Sequence, residues 1–379
     1  MRIVIILGPF LPIPPVFGGA VEKAHVALSG AYRAAGHDVT IISRRFSDFP
    51  TMELVGGVVY RRIKSYNRTS SFSLNLIFSL IYAVRAAAIT PRADVTITNE
   101  FFLPIIIPKR KAGKIYVQVG RFPKFQMFLY FRADRLQAVS SHVSRAICRQ
   151  TPWLARKVRT VGCPIPDNFF CTSHIPRRRI ILFVGRIARE KGVEILIKAM
   201  LLLHHGDHHY REKGWKLCIL GPHESSKGGD GAGYLRQLKE LAQPLGDQCE
   251  FAGAIFDQDE LRRKYEESSI FVYPSLSDFG EALGMAPLEA MACGCATVVS
   301  DLRCFDDYIR NGVTGLTFDH RSHARDKHLA IQIARLLQNP DLITRLSKAG
   351  YQAARDFNVH RIAERMLEDF KTLTEHALA

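Results

Sequence analysis

The chain has 379 residues, 47% of them hydrophobic and 23% charged, and a net charge of +16. That length suits two α/β domains, and that apolar content excludes a disordered chain. Residues 1–166 hold 24 Lys/Arg against 7 Asp/Glu while residues 167–379 hold 28 against 29, so the first half should attract an anionic membrane surface, phosphorylated lipid, acidic glycan or nucleic acid.

Residues 2–7 open the chain as a buried strand, with an apolar core too short for a secretory signal. A helix over 20–35 stops at Gly36-His37, where glycine supplies the left-handed cap. Strands follow at 39–43, 58–63, 95–98, 114–119, 135–139 and 158–161, with helices at 74–88 and 141–150. The longest apolar run, Thr69 to Val84, falls short of the roughly 20 residues needed to cross a bilayer. Residues 162–179, carrying Pro164, Pro166 and Pro176 and then three arginines, read as a linker. The rhythm then restarts: strand 180–184, helix 192–204, strand 216–220 ending at Gly221-Pro222, and a helix over 234–245. Later strands lie at Phe251, 271–273, 296–300 and 315–318. Eight scattered cysteines form no C-x-x-C pair, and Cys218, Cys249 and Cys295 fall in or beside strands. They read as reduced thiols of a cytoplasmic protein.

Strands alternating with helices predict parallel sheets covered on both faces. The expected fold class is α/β, with two doubly wound domains, 1–166 and 167–355, facing across a cleft. A helical segment, 356–379, should pack back toward the first domain. Ligands of open α/β sheets sit beyond the carboxyl ends of the strands, so the chemistry should lie on strand-to-helix loops.

Three such loops stand out. Residues 8–19 join the first strand to the first helix; prolines stiffen the approach, and Gly18-Gly19 lets backbone N–H groups come close to a ligand. There is no G-x-G-x-x-G. In Phe183-Val184-Gly185-Arg186-Ile187-Ala188-Arg189-Glu190-Lys191-Gly192, a buried strand delivers Gly185 and Arg186 to its end, and Lys191 opens the next helix; both cations suit a diphosphate. In the third, Glu281 and Glu289 stand eight apart around Gly284 and Pro287. Pro287 suits the first turn of a helix, and the N–H groups of Leu283, Gly284 and Leu288 could face an anion.

Together, Gly18-Gly19, Gly185-Arg186 with Lys191, and Glu281-x₇-Glu289 followed by Ala-Cys-Gly resemble the retaining nucleotide-sugar glycosyltransferases of family four. Those enzymes have the GT-B architecture of two Rossmann-like domains. The resemblance implies that Arg186 and Lys191 hold the donor diphosphate and that Glu281, with them, forms the catalytic set by binding hydroxyls of the transferred sugar. It implies that Glu289 binds the donor ribose, that Gly18 and Gly19 close on the phosphates, and that Ile255 and Phe256 lie on the base-binding loop. The donor would be UDP- or GDP-linked, with no metal required, and retention would follow from same-face attack assisted by the leaving phosphate. Many relatives carry a His at the end of the 114–119 strand; here Gln118 or Arg121, with Lys124 beyond, takes that neighbourhood on the acceptor side.

The remaining signals are weaker. Asp257-Gln258-Asp259 reads as a helix cap. The histidines of 204–209 read as a loop and not a metal site, and 225–231 as a loop beside the donor pocket. Lys109, Arg110, Lys111, Lys114, Arg121, Lys124, Arg132 and Arg135 interleave with Phe122, Phe125, Phe128 and Phe131. That segment suits an anionic bilayer, placing the enzyme peripherally on the inner face of the plasma membrane near a glycan or lipid-linked acceptor. A nucleotide-sugar epimerase of the same fold is the alternative reading; a nucleic-acid binder would leave Glu281 and Glu289 without a role, so no nucleic-acid partner is expected.

Overall fold

The computed structural model describes residues 1–16, 19–170, 176–206 and 214–375. The chain divides into two compact units, Met1–Pro166 with Phe357–Ala379, and Asp167–Asp356.

The first unit is built on strands β1 (Arg2–Ile6), β2 (Asp38–Arg44), β3 (Met52–Val55), β4 (Val58–Ile63), β5 (Val95–Thr98), β6 (Lys114–Val119), β7 (Arg135–Ala138) and β8 (Val158–Thr160). Its helices are α1 (Ala20–Ala34), α2 (Phe72–Ile89), the short α3 (Leu103–Ile106) and α4 (Lys109–Ala112), and α5 (Ser141–Gln150). The sheet order is β3-β4-β2-β1-β5-β6-β7-β8, parallel except for the β3–β4 hairpin. β1 and β5 are buried along nearly their whole length, as a parallel strand covered on both faces must be.

Two expectations change here. The sequence reading contained no strand at 52–55. It is an exposed edge strand whose register is fixed by the two-residue turn Gly56-Gly57, both at positive φ, with Val55 paired to Val58. The helix expected at 74–88 is α2, Phe72–Ile89, and with Arg85 inside it the apolar stretch, read as too short at 69–84, is long and apolar enough by length and composition to cross a membrane. Arg85 does not end it, because its guanidinium turns aside to lie over Tyr66 and to donate to the Lys64 carbonyl.

The second unit carries β9 (Arg178–Val184), β10 (Lys216–Leu220), β11 (Cys249–Gly253), β12 (Ser268–Tyr273), β13 (Ala296–Ser300) and β14 (Leu316–Phe318). Its helices are α6 (Val193–Gly206), α7 (Gly231–Ala242), α8 (Gln258–Glu267), α9 (Met285–Ala292), α10 (Arg325–Gln338) and α11 (Pro340–Ala354). The all-parallel order β11-β10-β9-β12-β13-β14 is that of a doubly wound sheet, with its switch point between β9 and β12.

The last helix, α12 (Val359–Glu375), belongs to the first unit. Its Phe370 meets the rings of Tyr32 and Tyr116 edge-on, and Asp369 receives both arms of the Arg135 guanidinium. Arg135 is therefore buried in an ion pair and is not part of any anion-facing surface, contrary to the sequence reading.

Candidate active site

In the second unit, the loops after β9, β10, β11 and β12 gather at the carboxyl edge of the sheet. Glycines make this possible. Gly192 has φ +70°, and a Cβ there would lie 2.0 Å from the Pro274 carbonyl oxygen. Gly221 approaches Gly185 so closely that a Cβ would lie 1.7 Å from its carbonyl oxygen. Backbone bonds tie the loops together: Gly185 N–H to Leu220 O, Gly221 N–H to Gly253 O, and Leu276 N–H to Glu190 O at 2.7 Å.

These contacts bring Lys191 onto Glu281. The two side chains form an ion pair at the switch point, and both residues are almost fully buried, at 5% and 6% exposure. Glu281 Oε1 also accepts from the hydroxyls of Tyr273 (2.9 Å) and Ser275 (3.0 Å). Burial, and then the Glu281 charge, hold the Tyr273 phenol well above its ordinary pKa, so it stays a donor. A buried carboxylate needs this much compensation: one cation and two neutral donors. Sequence reasoning missed Tyr273 and Ser275; their place at the end of β12, the strand beside the switch point, was the available signal.

Arg186 is more open. Its guanidinium donates to the Gly228 carbonyl (2.7 Å) and to Glu190 (2.6 Å), so the 225–231 loop lies against it. Gly185 stands between β9 and Arg186, with its N–H bonded to the Leu220 carbonyl. Phe256 is exposed on the loop after β11, with Lys227 Nζ 4.9 Å above its ring; Ile255 precedes it. Asp257 caps α8 by accepting from Glu260 N–H, a structural role for the D-x-D.

Glu289 and Glu281 have different surroundings. Glu289 is half-buried on α9 and accepts from the Tyr265 hydroxyl at 3.1 Å. Gly284 caps α9 at φ 78°, and the Tyr308 hydroxyl lies within hydrogen-bonding distance of the Leu283 and Gly284 carbonyls. Pro287 is the third helical residue, and Leu288 the fourth. The first turn of α9 leaves backbone N–H groups without partners inside the helix, among them those of Met285 and Ala286.

The first unit holds a cavity of about 550 Å³ at its own switch point, lined among others by Gly19, Glu22, Asn99, Glu100, Gln118 and Arg121. Gly18 lies outside the described residues, and Lys124 does not line the cavity. Gly19 takes φ 103° at the start of α1. Gln118, at the end of β6, meets Nε2 of the fully buried His25 at 2.9 Å. Burial lowers that imidazole to about 4, so it is neutral at ordinary pH. Burial raises Glu100 to about 7, although Ser79 and the Leu103 N–H both donate to it. The Asn99 Oδ1 is buried without a partner. None of Glu22, His25, Asn99 or Glu100 was singled out from sequence, although Asn99 and Glu100 directly follow the central strand β5.

Among the described residues, no group of three or more His, Cys, Asp or Glu side chains converges to hold a metal ion. The histidines at 208 and 209 lie outside them.

Comparison with known proteins bears on the fold. Residues 166–353 match the family described as Glycosyl transferases group 1. D-inositol 3-phosphate glycosyltransferase of Thermobispora bispora is 26% identical over 64% of this chain and 51% of that protein, so the chain spans about half the length of that relative. Among solved structures, sucrose-phosphate synthase of Thermosynechococcus elongatus has a TM-score of 0.75 at 20% identity, covering 99% of this chain and 100% of that one. The Anabaena protein HepE, solved in complex with UDP-glucose, has a TM-score of 0.73 at 15% identity, covering 98% and 100%. At these identities the structures show a shared fold, GT-B.

Proposed function

From the match of residues 166–353 to the group 1 glycosyltransferases, we propose that the chain transfers a sugar, with retention, as a family four enzyme. The donor is a UDP- or GDP-linked sugar and the acceptor a glycan or a lipid-linked saccharide, in polysaccharide or glycoconjugate synthesis. One observation carries the reading: the pairing of Lys191 with Glu281 at the switch point of a nucleotide-binding sheet, with Arg186 beside it.

A nucleoside diphosphate leaves readily when preorganised donors meet the charge that grows on it. Arg186 supplies a planar fork for the diphosphate, Lys191 a compact charge, and the first turn of α9 its open N–H groups. These positive groups take the role that a divalent metal would otherwise fill. Glu281 Oε1 is occupied by three donors, which leaves Oε2 for hydroxyls of the transferred sugar. A carboxylate so engaged is a weak nucleophile, which supports same-face attack assisted by the departing phosphate over a covalent intermediate. Glu289 binds the ribose, with its orientation set by Tyr265. The cavity of the first unit takes the acceptor, with Gln118 and Arg121 on its wall. We place the enzyme in the cytoplasm; the seven described cysteines are free thiols.

The test is a panel of UDP- and GDP-sugars, scored by melting temperature and by slow donor hydrolysis without acceptor. A true donor binds only the folded chain and should raise its melting temperature. Arg186→Ala should cut hydrolysis by about 10²–10³-fold. No shift with any donor, or wild-type hydrolysis by Arg186→Ala, overturns the reading.

A further inference from the structure

Helix α2 is an anomaly in the first unit. Its 18 residues have a mean hydropathy of 1.7, yet only 22% of it is buried. A helix that is apolar all round is ordinarily covered all round. One face, with Ser79, Tyr82, Ala83 and Ala86, packs into the unit. On the opposite side Ile77, Leu80 and Val84 are 54%, 40% and 54% exposed, and Phe72 at the helix start is 75% exposed. Spacings of three and four put residues 77, 80 and 84 on one line along the helix. A contiguous exposed apolar stripe marks a surface that a partner covers.

The surrounding charge identifies that partner. Between Glu53 and Asp94 the chain has six Lys/Arg and no Asp or Glu. Several are fixed beside the helix. Arg85 lies over Tyr66, which itself stacks on Phe78 at 4.3 Å, and donates to the Lys64 carbonyl. At the C-terminal end, Arg61 donates to the Ile89 carbonyl and Lys111 to that of Ala88. Lys64 and Arg68 are exposed on the segment leading into the helix. An apolar stripe bordered by cations, with no acid to repel phosphate, is complementary to an anionic bilayer. The helix lies along such a surface and does not cross it, because it is the crossover from β4 to β5 and its buried face is locked into the fold.

We propose that α2 docks the chain on an anionic lipid bilayer, with Ile77, Leu80 and Val84 in the acyl boundary and Lys64, Arg68 and Arg85 among the headgroups. The docking surface goes beyond the donor chemistry, and its assay needs no donor, so the two proposals fail separately. The experiment is co-sedimentation of the full chain with phosphatidylcholine vesicles, either pure or with one quarter phosphatidylglycerol. The chain should bind the anionic vesicles at low salt and be released by high salt. Ile77→Ser/Val84→Ser should weaken binding about tenfold or more, and Lys64→Glu/Arg68→Glu should abolish the preference for anionic lipid. All four side chains are exposed, so melting temperatures should stay at the wild-type value. The proposal is overturned if wild type stays in the supernatant with both vesicles, or if Ile77→Ser/Val84→Ser sediments like wild type. It is also overturned if light scattering shows a wild-type dimer that Ile77→Ser/Val84→Ser splits, since the stripe then belongs to a second copy.

Discussion

Lys191 and Glu281 serve stability and chemistry at once, and substitutions separate the two. Removing one member of a buried pair strands the other's charge, which costs about 3–5 kcal/mol, whereas replacing both is often neutral. Lys191→Met should therefore destabilise the second unit strongly, because the buried Glu281 carboxyl is left with only Tyr273 and Ser275 to donate to it. Glu281→Gln should cost less, since the amide oxygen still accepts from Lys191 and both hydroxyls, and the Glu190 carboxylate remains 3.9 Å from Lys191 Nζ. The double variant Lys191→Met/Glu281→Gln should recover most of the stability lost by Lys191→Met. All three should lose about 10²-fold or more in donor hydrolysis. Urea melts read the first effect and hydrolysis the second; a Lys191→Met protein as stable as wild type would refute the pairing. The carboxylates and cations of this site were legible in the sequence because they lie on one loop each. The hydroxyls that hold Glu281, and the Tyr265 that holds Glu289, were not, because they come from strand and helix ends that only the sheet order brings alongside.

At the level of elements, the site depends on backbone approaches that only glycine permits. Gly192 links the Lys191 turn to α6 and lies against the Pro274 carbonyl. In Gly192→Ala the new Cβ must move that carbonyl, and a left-handed backbone costs a further 1–2 kcal/mol or so for a residue with a Cβ. The loop should shift, and Lys191 with it, so both stability and turnover should fall. Gly214→Ala is the control: it has φ +68° but no atom within 4 Å of the added Cβ, so it should lose about 1 kcal/mol and leave turnover unchanged. Equal effects on turnover from the two variants would show that the loop contact does not position Lys191. Elements with a buried strand or a strong helical period were legible to within a few residues: β5 and β6, for example, have the limits the sequence suggests. β3 was not, because four largely exposed residues are too few to establish a period and the strand announces itself only through Gly56-Gly57. α2 was legible as a helix, 74–88 against Phe72–Ile89, but its apolar length was not, because a charge whose long stem lets it lie aside does not interrupt an apolar helix.

At the scale of the whole molecule, the end of the chain completes the beginning. α12 follows the second unit in sequence, yet it supplies the first with Ile362, Met366 and Phe370, all fully buried. The Arg135–Asp369 pair joins β7 to this helix across 234 positions of sequence, with both side chains nearly buried. Sequence alone gave Arg135 to the basic surface, because nothing local reveals a partner so far along the chain. Asp369→Asn should leave the guanidinium buried and uncompensated, at a cost of about 3–5 kcal/mol to the first unit. Arg135→Met/Asp369→Leu, which removes both charges and keeps the volume, should return close to wild type. Because a two-unit chain need not melt in one step, the readout is hydrogen exchange at the amides of β6 and β7, which reports the opening of that unit alone. Faster exchange in Asp369→Asn with recovery in the double variant is the expected pattern. Unchanged exchange in Asp369→Asn would mean that apolar packing around Phe370 holds α12 without help from the ion pair.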